Sequence, residues 1–132
     1  MIVHRGRRTG RVRRTVVEVA RFDPSRDECT VVAAFGPGTD WYRNVMAHPA
    51  LEVHVGLRRF VPEQRRLAVD EADGVLAEYE RHHPHLTPVL MRAVGVAYDG
   101  SAARRRELAA AMPMIAFRPR ARSISAPART PP

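Results

Sequence analysis

The sequence predicts a small, mainly β domain of the α+β class: an antiparallel barrel of about six strands with short helices around it. Three observations carry that reading. Short runs rich in β-branched residues recur along the chain and are separated by dense turn residues, as hairpins require. The regular strand–helix alternation of a doubly wound α/β fold is missing. The chain has 132 residues, enough for one core and hardly for two.

Met1-Ile2-Val3-His4 reads as a first strand that leaves no room for a leading helix. Thr15–Phe22 alternates well enough to be the second, and the turn-rich Asp23-Pro24-Ser25-Arg26-Asp27 folds it back onto a third through Cys29–Ala34. Gly36-Pro37-Gly38 breaks the run. Thr39 or Asp40 then caps a short helix carrying Trp41, Tyr42, Val45 and Met46, which ends at His48-Pro49 because proline disfavours helical geometry in its predecessor. Leu51–Val55 alternates cleanly, Gly56 turns, and a partner strand runs from Arg58 toward Leu67, with Pro62 marking an edge or a bulge. From Asp70 the pattern is helical: Val69, Ala72, Leu76 and Tyr79 share an apolar face, Gly74 is a mild flaw, and His82-His83-Pro84 closes the helix. A short helix over Thr87–Val94 and one capped by Ser101 through Ala111 precede a closing strand, Met114–Arg118. Residues 1–118 therefore form the domain, and the Arg/Pro/Ser-rich 119–132 is expected to be a disordered tail.

The formal charge is +8 with a sequence pI of about 11.2, and every basic residue counted is arginine, since the chain has no lysine. That Arg/Ala/Val/Pro bias reflects GC-rich coding as much as selection; what remains is attraction for an anionic partner. Cys29 is the sole cysteine, which excludes an internal disulfide and a thiolate metal cluster, and its strand context marks it as an inert buried thiol. No apolar stretch is long enough to span a bilayer and no signal peptide is legible, so a cytoplasmic location is expected. His82, His83 and His85 are interrupted by Pro84 and read as a solvated helix end, so no metal is expected; Arg104-Arg105-Arg106 reads as an exposed helix face.

Two motifs carry chemistry. Gly6-Arg7-Arg8-Thr9-Gly10-Arg11-Val12-Arg13 places guanidinium groups and a hydroxyl on a glycine-bracketed turn, the chemistry of a phosphate grip. It is neither a P-loop nor a dinucleotide fingerprint, because its context is strand to strand. Downstream, Trp41-Tyr42 supplies flat faces for a planar ring and Asn44 an amide beside them; Trp41 equally suits a core plug.

Together with Ala33-Ala34-Phe35-Gly36-Pro37-Gly38, Ala47-His48-Pro49 and Glu52-Val53-His54-Val55-Gly56, these motifs resemble, in order and spacing, the deazaflavin-dependent nitroreductase family, over roughly Val3 to Arg118. The resemblance implies a split β-barrel, related to flavin-binding barrels, that binds coenzyme F-420 and passes hydride to a quinone, enone or nitroaromatic acceptor. It implies that Arg7, Arg8 and Thr9 contact the coenzyme phosphate and that Arg13, Arg14, Thr15, Val16 and Val17 follow the coenzyme. Ala33, Ala34, Phe35, Trp41, Tyr42 and Asn44 would line its ring. Arg11 completes the cationic rim expected to meet the coenzyme's anionic chain. Phe35, His83 and Leu86 are the expected acceptor-pocket residues. Tyr42, His83 and Tyr98 are candidate proton donors without rank. Where the family places tyrosines around a Tyr-Pro step, this chain has His83-Pro84-His85-Leu86, so a different acceptor pocket is expected. Two rivals remain: a basic nucleic-acid module, which lacks the aromatic interleaving of a stacking platform, and a barrel of the same kind that binds FMN, haem or lipid. Monomer and homodimer are both compatible with the sequence.

Overall fold

The computed structural model describes residues 1–121. The expected tail lies, from residue 122 on, outside the described residues. The first strands are β1 (Ile2–Arg5), β2 (Val12–Thr15), β3 (Val19–Asp23) and β4 (Glu28–Val32). Helix α1 (Asp40–Ala47) is followed by β5 (Glu52–Val55), β6 (Arg58–Phe60) and β7 (Pro62–Arg66). Helices α2 (Val69–His82), α3 (Leu86–Ala93) and α4 (Ala102–Ala111) precede the closing strand β8 (Met114–Pro119).

The strands form two antiparallel sheets of four, ordered β2-β1-β5-β6 and β3-β4-β8-β7. The fold is mainly β within the α+β class, arranged as a split barrel. Eight strands stand where about six were expected, for two reasons. The expected strand Arg58–Leu67 leaves one sheet and enters the other, breaking at Val61, and the arginine turn is shorter than expected, so that Val12–Thr15 forms β2 and passes through residues 16–18 into β3 of the other sheet. These crossings are the corners of the barrel, where one continuous β-type run serves two sheets. Pro62 falls on β7, an edge strand, where its missing N–H leaves no ladder partner unpaired.

β8 shows how the core is divided. Ile115 and Phe117 pack into one apolar cluster with Ile2, Val31, Trp41 and Val45. Met114 and Ala116, on the opposite face of the same strand, join a second cluster with Val75, Leu76 and Leu108 from α2 and α4. Alternation along one strand therefore feeds two cores, and all four of these residues are buried. Ser101 caps α4 as expected, its Oγ accepting from the Arg104 amide at 3.1 Å. α1 stops at Ala47, one residue before His48-Pro49.

Candidate functional site

The Gly6–Arg11 turn joins β1 to β2. Its backbone is closed by Gly6 N–H to Arg11 O at 2.7 Å and Gly10 N–H to Gly6 O at 2.8 Å. Gly10 has φ +70°, where a side chain would be strained, and a Cβ on Gly6 would stand 2.9 Å from Thr9 Oγ1. Gly10 suits its φ, and any side chain at Gly6 would displace the Thr9 hydroxyl. Thr9 Oγ1 accepts from the Arg11 amide at 3.2 Å.

The arginines of this turn divide into two kinds. Arg7 is fastened to α1: its amide and its guanidinium both donate to Asn44 Oδ1, at 3.0 and 2.9 Å, and the guanidinium also pairs with Asp40 at 3.1 Å. Arg8, Arg11, Arg13 and Arg14 are exposed, and their side chains make no ion pair among the described residues. Asn44 is buried, and its amide nitrogen contacts His4 Nδ1 at 3.2 Å; His4 Nε2 in turn lies 2.9 Å from Thr15 Oγ1. Burial, reinforced by the Arg13 charge, pushes the His4 pKa below 6.5.

A cavity of about 390 Å³ opens between the β2–β3 corner and the helices. Its first wall is the barrel corner that carries the chain from β2 to β3: Thr15, Val16, Val17, Glu18 and, just beyond, Ala20. Val32, Ala34, Phe35, Thr39 and Trp41 continue the lining, and Leu76, Tyr79, Met91, Val94 and Met112 close it from the helical side. Thr39 and Trp41 flank Asp40, which holds Arg7, so the cationic turn abuts the cavity wall. Val16 and Phe35 are 83% and 77% exposed and form apolar lips at the mouth.

Of the residues expected to hold a coenzyme, Thr15, Val16, Val17, Ala34, Phe35 and Trp41 line this cavity. Trp41 is at once core and wall: it is buried, and it meets Tyr42 edge to face with centroids 6.2 Å apart. Ala33, Tyr42 and Asn44 are buried behind the wall and do not line the cavity. His83 is exposed at the end of α2 and packs on Tyr79 at 4.6 Å, Leu86 is exposed on α3, and neither lines the cavity. Tyr98 also stands outside it, its hydroxyl donating to Glu80 at 2.7 Å; burial and then that carboxylate push its pKa up to about 12.

The sequence reading had not singled out Glu18, Leu76, Tyr79, Met91 or Met112 as site residues. Tyr79 donates to Glu18 Oε1 at 3.0 Å, which bridges α2 to the β2–β3 corner across the cavity wall. Burial, with Glu18 adding to it, pushes the Tyr79 pKa up to about 12, so the phenol stays neutral through the ordinary pH range. Leu76 and Tyr79 carried a signal, the apolar face of α2, but that face reads the same whether it meets a core or a cavity.

A family model described as F420H(2)-dependent quinone reductase matches residues 1–99, which include the cationic turn, the β2–β3 corner, α1 and most of the cavity lining. The chain belongs to this F420H(2)-dependent quinone reductase family. It is an oxidoreductase of a family whose coenzyme is F-420 and whose acceptor is a small molecule. No curated protein matches the chain.

The residues present fit that coenzyme. The cavity volume lies at the low end of the roughly 300 to 1,000 Å³ typical of small-molecule sites, which suits a planar ring with its anionic chain left outside. The arginines without an ion pair among the described residues lie on the turn that abuts the wall, where a phosphate would meet them. Among the described residues no helix is long and apolar enough to cross a membrane, and no group of three or more His, Cys, Asp or Glu side chains is placed to hold a metal ion.

Proposed function

We propose that this protein reduces a planar, apolar quinone with reduced coenzyme F-420, the ring lying in the cavity and the phosphate on Arg8, Thr9, Arg11 and Arg13. The observation that carries the reading is the junction of an apolar cavity with a turn whose exposed arginines make no ion pair among the described residues. The coenzyme supplies a hydride when bound. What the chain contributes is position and the exclusion of water. Val17, Ala34 and Trp41 offer flat apolar wall to the ring, while Arg7, fastened to α1, fixes the turn rather than gripping the ligand. Exposed Val16 and Phe35, with Leu76, Tyr79 and Met91 of the same lining, suit an apolar acceptor stacked against the ring. Tyr79, whose one hydroxyl proton is held by Glu18, lends its ring rather than a hydrogen bond to that side of the cavity.

The test is a pair of fluorescence titrations of the purified protein with oxidised coenzyme F-420 and with FMN. It is followed by steady-state oxidation of the reduced coenzyme with a naphthoquinone, a cyclic enone and a nitroaromatic. Micromolar or tighter binding of F-420, weaker binding of FMN and the highest kcat/KM on the quinone are expected. Preference for FMN, or turnover confined to the nitroaromatic, overturns the reading.

A further inference from the structure

His4 lies on β1, outside the cavity wall, yet it is buried and contacts both Asn44 and Thr15. The proton positions along this chain of contacts follow from valence. Two N–H donors of Arg7 converge on one atom of the Asn44 amide, which must therefore be its oxygen. The other atom is then the NH₂ group, which has no lone pair to offer and can only donate. It faces His4 Nδ1, so that nitrogen accepts and carries no proton. A neutral imidazole with a bare Nδ1 carries its proton on Nε2, and Nε2 faces Thr15 Oγ1. Thr15 is thereby made an acceptor from His4, and its own hydroxyl proton must point elsewhere. That proton has no partner among the described residues, and Thr15 is part of the cavity wall.

We propose that the relay Arg7–Asn44–His4 fixes the Thr15 hydroxyl as a hydrogen-bond donor into the cavity, where it binds an acceptor oxygen of the coenzyme between its phosphate and its ring. The place in the molecule follows from the strand. Thr15 stands two residues beyond Arg13 of the cationic rim and directly before Val16 and Val17 of the apolar wall, so it sits where an anionic chain gives way to a ring. His4 is a positioning residue in this scheme, since it acts on the ligand only through Thr15. The relay also couples the two halves of the site: the contacts that hold the turn against α1 set the direction of a donor on the opposite side of His4. The inference rests on F-420 occupying the cavity.

Two measurements test it, with oxidised coenzyme F-420 as the probe. In the first, Thr15→Val removes the hydroxyl at nearly constant shape, and Thr15→Ser restores it. Valine is expected to weaken F-420 binding by about five- to twentyfold, the size of one lost hydrogen bond, with serine within about threefold of the parent protein. Equal affinities for all three overturn the inference. If Arg8→Ala still weakens F-420 in that case, the proposed function stands without it; if the parent protein binds no F-420, the function itself fails. The second measurement is independent of any variant: a long-range proton–nitrogen NMR correlation of the His4 ring in the intact protein. The Nε2–H tautomer is expected near neutral pH, and an Nδ1–H tautomer or a doubly protonated ring there overturns the relay.

Discussion

Arginine does opposite work in two regions of this molecule. On the helical side, the Arg65 guanidinium spans two carboxylates: Glu28 through Nε and a terminal nitrogen at 3.1 and 2.7 Å, and Glu71 at 2.8 and 2.7 Å. Arg21 adds a further bond to Glu71 at 3.0 Å, so one network joins β3, β4, β7 and α2. On the turn side, Arg8, Arg11, Arg13 and Arg14 crowd into seven residues with no carboxylate to meet them among the described residues, while Arg7 is paired with Asp40. The first arrangement satisfies its charges internally and serves the fold. The second leaves like charges side by side, which lowers stability and is relieved by an anion. Charge pairing, rather than charge count, separates a structural arginine cluster from a candidate ligand site.

The largest effect is expected from breaking the paired cluster. Glu28 is 3% exposed, so Arg65→Met strands a buried carboxylate and leaves Glu71 with Arg21 alone. A loss of about 2–4 kcal/mol in a denaturant melt is expected, below the range for a fully buried pair because the Arg65 side chain is 36% exposed. F-420 affinity of the folded fraction should be unchanged. Acid reaches the same network from the other side. Arg65, then burial acting against it and Arg21 with it, leave the Glu71 pKa at about 2, below its ordinary 4.5. Because the folded value is the lower, this carboxylate's contribution is complete above about pH 4.5 and is lost as pH falls toward 2. Melting temperatures across that interval should fall less steeply in an Arg65→Met protein than in the parent.

Removing an unpaired arginine should reverse the pattern. Arg8→Ala is expected to weaken F-420 binding by about 1.5–3 kcal/mol, as for a charge-assisted contact. It should leave stability within about 0.5 kcal/mol, because Arg8 is exposed and unpaired among the described residues. Titration and melting of the same preparation check both halves. A stability loss without an affinity loss would make the turn another structural cluster.

The sequence reveals strands more readily than sheets. β-branched runs and hairpin turns located most strands, but β2, whose Val12-Arg13-Arg14-Thr15 read as part of the arginine turn, and the corners at 16–18 and Val61 were invisible, since sheet membership is decided by distant partners. The site divides in the same way. Of the cavity lining, Trp41 was legible from its own motif, and Thr15, Val16, Val17, Ala34 and Phe35 only through the family resemblance. The wall from α2 and α3 was not, because an apolar helix face does not say what it faces. Arg7 and Arg8 are adjacent and chemically identical, and only the arrival of Asn44 from 37 residues away separates the fastener from the candidate grip.

The smallest effect should come from Phe35, where the apolar cavity ends and solvent begins. Its ring is 77% exposed, so Phe35→Ala removes little from the core and should leave the melting temperature unchanged within error. It lines the cavity, and under the proposed function its ring meets the acceptor there. The expected signature is a KM for the quinone raised about three- to tenfold with kcat and F-420 affinity held, the mark of a contact equally present before and during the reaction. A larger and polar acceptor that depends less on Phe35 than the naphthoquinone does would sharpen the division: the arginine turn selects the coenzyme, and the apolar mouth selects what it reduces.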